Sequence, residues 1–229
     1  MPTAVKKHRR LAKQAPAHSN GVTALSRTMA DLVKELGSIK PHRILLTPTP
    51  GTATEADLIR LMESEPKRLC ELVNGTLVEK TMGMNESRLA FDLGYFLKHY
   101  LMQHDIGFLT APDGPFRISP RTIRMPDIAY LSWKHFPHRA RDLDKHPVSD
   151  VVPELAIEII SKSNTRKEIE NKLKEYLSAG VQLVWIIDPR KRTVAVYRAD
   201  GTSEVLDHKG KLTGEVVLPG FKLEISRFL

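Results

Sequence analysis

Two carboxylates and one amine in this chain have the types and settings for phosphoryl chemistry. Glu158 lies inside the nearly continuous apolar run Glu154-Leu155-Ala156-Ile157-Glu158-Ile159-Ile160, between two isoleucines. An ionised carboxylate in such a strand is costly unless it is paired or binds a cation. Lys172 follows on a helical stretch whose apolar stripe is Ile169, Leu173, Tyr176 and Leu177. Three residues after Ile169 and four before Tyr176, it falls on the edge of that stripe rather than opposite it, whereas Lys167 and Lys174 point to solvent. Asp127 follows Pro126 at the mouth of the apolar segment Ile128-Ala129-Tyr130-Leu131, a position where proline removes no ladder donor. Two such carboxylates at one end of a sheet can hold Mg²⁺ or Mn²⁺ with several waters retained. The ion lowers the pKa of a bound water and neutralises phosphate charge, while the lysine holds the attacking hydroxide or stabilises a pentavalent transition state. Phosphodiester hydrolysis needs both. A buried structural ion pair between Glu158 and Lys172 is the other reading of the same residues.

The surrounding pattern predicts elements able to position these groups. The run 154–160 reads as a strand buried on both faces, and 166–179 as a helix stopped at Gly180. With a second buried strand over 181–187, closed by Asp188-Pro189, this makes a strand–helix–strand crossover with parallel strands. Upstream, Thr54 caps a helix to about Glu65. Asn74-Gly75 joins strands 69–73 and 76–79 in a tight hairpin. A long helix fits 86–102, where Leu89, Leu93, Phe96, Leu97 and Leu101 recur at helical spacing. Strands are expected at 107–110, 116–118 and 127–132, an irregular polar loop over 133–150, and a short β tail at 193–198, 203–206 and 221–225. The fold class is α/β (α+β).

Composition narrows the functional classes. The chain of 229 residues, 41% hydrophobic and 27% charged, suits one ordinary domain plus a tail. A single cysteine, Cys70, excludes an internal disulfide and a thiolate zinc site, and fits a reducing, cytoplasmic setting. No apolar run approaches the roughly 18 to 20 residues of a membrane span. The net charge of +8 is concentrated: residues 1–45 hold nine Lys/Arg and two acids, leaving the rest almost neutral. Residues 1–48 therefore read as a basic, flexible leader, which attracts polyanions and nucleic acid above all, and 49–229 as the folded domain. An acid-free start, up to Asp31, has an organelle-transit look, but no secretory apolar core follows it.

Taken in order, several segments resemble a large bacterial group of restriction endonucleases of the PD-(D/E)xK nuclease type. Cys70-Glu71-Leu72-Val73-Asn74-Gly75 resembles its "ELxxG" hairpin, and Met125-Pro126-Asp127-Ile128 its "PD" strand. Pro153 to Ser161 resembles its "PxLxxEvlS" strand, and Lys172-x-x-x-Tyr176 with Val181, Trp185 and Asp188-Pro189 its "KxxxY…aGV…yWivDp" run. Leu218-Pro219-Gly220-Phe221 resembles its ending. The resemblance spans about 49–229 and implies a restriction-endonuclease-like core, a central mixed sheet flanked by helices. It implies Asp127 and Glu158 as metal ligands, Glu71 as a further ligand or base, and Lys172 as the catalytic lysine, carried on the helix because Ile160 stands where an ExK motif puts its lysine. The activity implied is a Mg²⁺- or Mn²⁺-dependent endonuclease acting on nucleic acid, DNA first, with a homodimer as a possible assembly; a nucleic-acid-binding module that has lost the chemistry is the alternative. One departure is the missing histidine at the start of the long helix, where Asn85-Glu86-Ser87 stands instead.

Other residues read more plainly. Trp185 and Tyr176 are expected in the core, Cys70 as a small buried side chain, and Ser161-Lys162-Ser163-Asn164 as a capping loop or a phosphate contact. His135, His138 and His146 lack metal-ligand spacing.

Overall fold

A computed structural model describes residues 28–143 and 147–229. It contains a six-stranded mixed sheet and a four-stranded antiparallel sheet, with α5 (Arg166–Ala179) bridging them. The first sheet has the order β10-β9-β8-β7-β6-β3, from β3 (Gly107–Thr110), β6 (Ile128–Ser132), β7 (Leu155–Ile159), β8 (Leu183–Asp188), β9 (Thr193–Arg198) and β10 (Ser203–Asp207). In this sheet, among the described residues, only β7 and β8 run parallel, joined by α5, which is the crossover unit expected from the sequence. The second sheet has the order β2-β1-β5-β4, from β1 (Cys70–Val73), β2 (Thr76–Glu79), β4 (Phe116–Ser119) and β5 (Thr122–Arg124). A final hairpin pairs β11 (Lys211–Thr213) with β12 (Lys222–Glu224).

Strand alternation decides which side chains meet. Leu155, Ile157 and Ile159 of β7 join Leu183, Trp185 and Ile187 of β8 in a core with Leu89, Leu93 and Leu97 of α3 (Met84–His104). The intervening residues Ala156, Val184 and Ile186 pack with Tyr176 of α5 on the opposite face. Glu158 shares the parity of Ala156, so it projects toward α5 and not into the larger core. In the second sheet, Cys70, Leu72, Leu77 and Ile123 pack with Leu58 of α2 (Glu55–Met62). Glu71 and Val73 belong to the other face, and Val73 packs with Val78 and with Leu32 of α1 (Met29–Glu35).

Local signals act as the sequence predicts. Asn74 and Gly75 both have positive φ (49° and 73°), the primed turn that a two-residue hairpin needs. Thr54 and Thr165 each cap a helix through a reciprocal capping box, and Gly180 ends α5 in the left-handed region. Within the polar segment after β6 lie a 3₁₀ turn at Trp133–His135 and a short α4 (Ala140–Leu143). Among the described residues, no helix is long and apolar enough to cross a membrane.

The domain boundary differs from the expectation. Residues 28–48 are not a detached leader: Leu32, Leu36, Ile39 and Ile44 are buried against Val73 and Val78. The guanidinium of Arg43 forms a two-pronged ion pair with Glu168 (2.8 and 3.0 Å) and donates to the Glu79 carbonyl. One of the cations assigned to a solvated tail is therefore interior, its fork matched to a carboxylate. Residues 1–27 of the expected leader, and His146, lie outside the described residues.

Gly37 fixes this docking. Its φ is +89°, and a Cβ added there would stand 2.7 Å from the Glu168 Cα. Gly37→Ala is expected to cost about 1–3 kcal/mol. Thermal denaturation should register a fall of about 2–4 °C for each of those kcal/mol in a chain of this size. An unchanged midpoint would mean that the 28–48 segment contributes little to the folded state.

Candidate active site

Asp127 and Glu158 lie near one another where the β6–β7 ladder ends. Ile128 and Ile157 are the last paired residues; Asp127, just before them, donates its amide to the Ile157 carbonyl at 2.9 Å, and its charge acts on the Glu158 carboxyl. Like charges this close repel, and both residues are buried. Cations hold them there. Lys172 Nζ donates to both Glu158 oxygens at 3.1 Å, and the Tyr176 hydroxyl donates to Glu158 Oε1 at 2.5 Å. Asp127 Oδ1 pairs with Lys80 Nζ at 2.8 Å, while Oδ2 accepts the Ile159 amide at 2.7 Å.

A third carboxylate completes the cluster from the second sheet. Glu71 accepts from Lys172 Nζ at 3.0 Å, from Arg124 at 2.8 Å and from the Met125 amide at 3.1 Å. Arg124 in turn reaches Glu175 of α5 at 2.7 Å. Lys172 thus joins the two sheets through two acids.

The ionisation of the cluster follows from burial and partners. Burial raises the Glu158 carboxyl; Lys172 opposes the shift, Asp127 adds to it, and the net direction is upward. Burial also acts to raise Glu71, but Lys172, Arg124 and Lys80 outweigh it and hold that carboxyl well below the usual range. For Lys172, burial favours the neutral amine, yet Glu158 and then Glu71 reverse this and raise its pKa. Lys172 is consequently an ammonium at neutral pH, a donor of positive charge and not a proton acceptor. Burial, next to Glu158, also lifts the Tyr176 hydroxyl far above its ordinary value, so it remains a donor.

The structure brings Glu158 and Glu71 into direct contact with Lys172 and sets Asp127 near Glu158, bonded to the Ile159 amide. Two partners were not anticipated. Lys80 lies just after β2, in the polar-looking stretch Glu79-Lys80-Thr81, yet its ammonium turns inward to Asp127 and to the Met125 carbonyl at 2.5 Å. Arg124 lies on β5, a three-residue strand with no periodic signal of its own. Tyr176 is in the core, as expected, and also touches the site. Trp185 and Cys70 are buried as expected, and burial pushes the Cys70 thiol up to about 11. The loop after β7 is a self-bonded cap: Ser161 and Ser163 bond each other, and Ser161 bonds Asn164. His135 pairs with Glu154 at 3.0 Å.

The donor set was compared with the needs of a divalent ion. Among the described residues, no three His, Cys, Asp or Glu side chains are grouped as a metal cage. Asp127 and Glu158 still fit Mg²⁺, which is commonly held by one or two carboxylates with water and substrate oxygens filling the rest. They are hard oxygens close enough for their charges to interact, with repulsion that a cation relieves. Glu71 is placed like the other two: its oxygens accept from Arg124, Lys172 and the Met125 amide, so it also holds Lys172 in position.

Residues 56–226 match the Uma2 family, described as "Putative restriction endonuclease", and the chain belongs to that family. A crystal structure described as "a putative nuclease belonging to DUF820 from Anabaena variabilis" superposes with a TM-score of 0.64 at 22% identity, covering 76% of this chain and 96% of the other. That likeness concerns the fold. No curated protein matches the chain.

Proposed function

We propose that this protein is a Mg²⁺- or Mn²⁺-dependent endonuclease that hydrolyses phosphodiester bonds in DNA. The observation that carries the reading is the convergence of Asp127 and Glu158 where the β6–β7 ladder ends, with the Lys172 ammonium on Glu158. Family membership supports the nuclease class.

Asp127 and Glu158 would hold the ion. When bound, it supplies an activated water and neutralises charge on the phosphate. Lys172, kept protonated by its two acids, supplies a positive charge to the phosphoryl oxygens as the transition state forms. Glu71, Arg124 and Tyr176 hold Lys172 and Glu158 in place, so that little reorganisation is needed. Lys80 faces Asp127 and is a second ammonium at the site.

One observation favours the alternative of a nucleic-acid-binding module without turnover. Both oxygens of Asp127 and both of Glu158 already accept a hydrogen bond or ion pair from the protein. An entering ion must share these oxygens with Lys80 and Lys172 or displace the amines. Incubating the wild-type chain with supercoiled plasmid and with single-stranded DNA, in Mn²⁺ and in EDTA, separates the readings. The nuclease reading expects nicking or linearisation in Mn²⁺ alone. Binding without cleavage in both conditions would favour the module.

A further inference from the structure

A cavity of about 520 Å³ lies beside Asp127, which is one of its lining residues. One wall is α3, through Ala90, Phe91, Gly94 and Tyr95; the other is β3 and the turn after it, through Leu109 and Pro112. Lys80 ties that second wall to the carboxylate cluster, since its ammonium reaches both Asp127 (2.8 Å) and the Pro112 carbonyl (3.3 Å). The hollow is thus mechanically part of the site.

Two features of its α3 wall are costly unless something occupies the space. Phe91 and Tyr95, one helical turn apart, are 79% and 60% exposed, so two large rings face the solvent side by side. Gly94 sits between them in the middle of a 21-residue helix, where glycine weakens the helix relative to alanine. Close packing does not demand it. A Cβ built at Gly94 meets only the Ile128 Cδ1, at 4.0 Å, and its φ is not in the left-handed region. The missing side chain leaves room in the hollow itself.

We propose that this cavity receives one unstacked base of a nucleic-acid strand, adjoining the phosphodiester that Asp127 and Glu158 address; the inference rests on the phosphodiesterase reading above. A base has the flat apolar faces that Phe91 and Tyr95 can stack on, without regard to sequence. Lys98, exposed at the same wall, supplies a cation for the neighbouring backbone phosphate. The volume lies in the range that encloses a small ligand. Such a pocket favours single-stranded or locally opened substrate, because a base in an intact duplex must first leave its stack.

The test uses the full chain and a short single-stranded oligodeoxynucleotide carrying one 2-aminopurine, titrated in EDTA so that no cleavage occurs. Wild type and Gly94→Ala should quench the 2-aminopurine on binding. Gly94→Leu, which fills the hollow and leaves Asp127, Glu158 and Lys172 themselves unaltered, should abolish the quench and weaken binding about tenfold. Phe91→Ala, at an exposed position that should fold normally, should reduce both. Quenching retained in Gly94→Leu with a wild-type melting curve would overturn the base pocket, as would binding by wild type with no quench at all. A wild-type dimer that Phe91→Ala splits, again without quench, would also overturn it by assigning the face to a second copy of the chain. Cleavage in Mn²⁺ is read separately. Absent cleavage with an intact, Gly94-sensitive quench would sink the phosphodiesterase reading and leave the pocket standing.

Discussion

Lys172→Ala is expected to remove activity and to lower stability by about 3–5 kcal/mol, the usual cost of stripping one partner from a buried ion pair. Lys172 serves two buried acids, Glu158 at 3.1 Å and Glu71 at 3.0 Å, and its loss leaves both short of positive charge. At about 2–4 °C per kcal/mol, the midpoint should fall by roughly 6–20 °C. The deficit should depend on pH. The folded-state pKa of Glu158 is already raised, and Lys172 is the leading influence holding it down. Without the lysine it rises further. A carboxyl raised in the folded state costs stability above its unfolded pKa, and the cost fades as pH falls. The gap between variant and wild type should therefore narrow as pH falls through the acid range. Denaturant melts at several pH values measure this; a gap of constant size would mean that Glu158 is not the charge left uncompensated.

Asp127→Asn should lose about 100-fold or more in cleavage rate while the fold persists. The amide keeps the shape and can still accept from the Ile159 amide, as Oδ2 does now. Its NH₂ group then faces the Lys80 ammonium, which loses its ion-pair partner but keeps the Pro112 and Met125 carbonyls and the nearby charges of Glu71 and Glu158, so the cost is smaller than at Lys172. Activity and stability thus separate at Asp127, whereas at Lys172 they fall together. Matched melts and initial rates test this. A variant with near-wild-type cleavage would remove Asp127 from the chemistry.

The difference between what the sequence displays and what it conceals is physical. Glu158 is conspicuous because an acid between two isoleucines contradicts its strand. Lys172 is conspicuous because its angular position on the helix contradicts its charge. Asp127 follows a proline at a strand mouth. Each is a local contradiction, and the mixed sheet with its crossover helix follows from ordinary periodicity. Lys80, Arg124 and Arg43 contradict nothing nearby. Lys80 finds its acid 47 positions further on, Arg124 meets Glu71 at a separation of 53, and Arg43 meets Glu168 at 125. Only the assembled fold creates these pairs: Arg124 meets Glu71 across the neighbouring strands β5 and β1, Lys80 meets Asp127 between the two sheets, and Arg43 meets Glu168 on α5. The same holds for residues 28–48, whose basic composition resembles a solvated tail although Leu32, Leu36, Ile39 and Ile44 form a buried cluster at sequence spacings of three to five. Glu71 was legible as part of the site, but its contact with Arg124, which helps it hold Lys172, was not.

A calorimetric titration of Mn²⁺ into the wild-type chain, Asp127→Asn and Glu158→Gln tests most directly whether these two carboxylates form an ion site. Saturable binding near one ion per chain in the wild type, lost in both variants, is the result expected. Equal binding in all three chains, or no binding in any, would contradict it and return the cluster to a purely structural role.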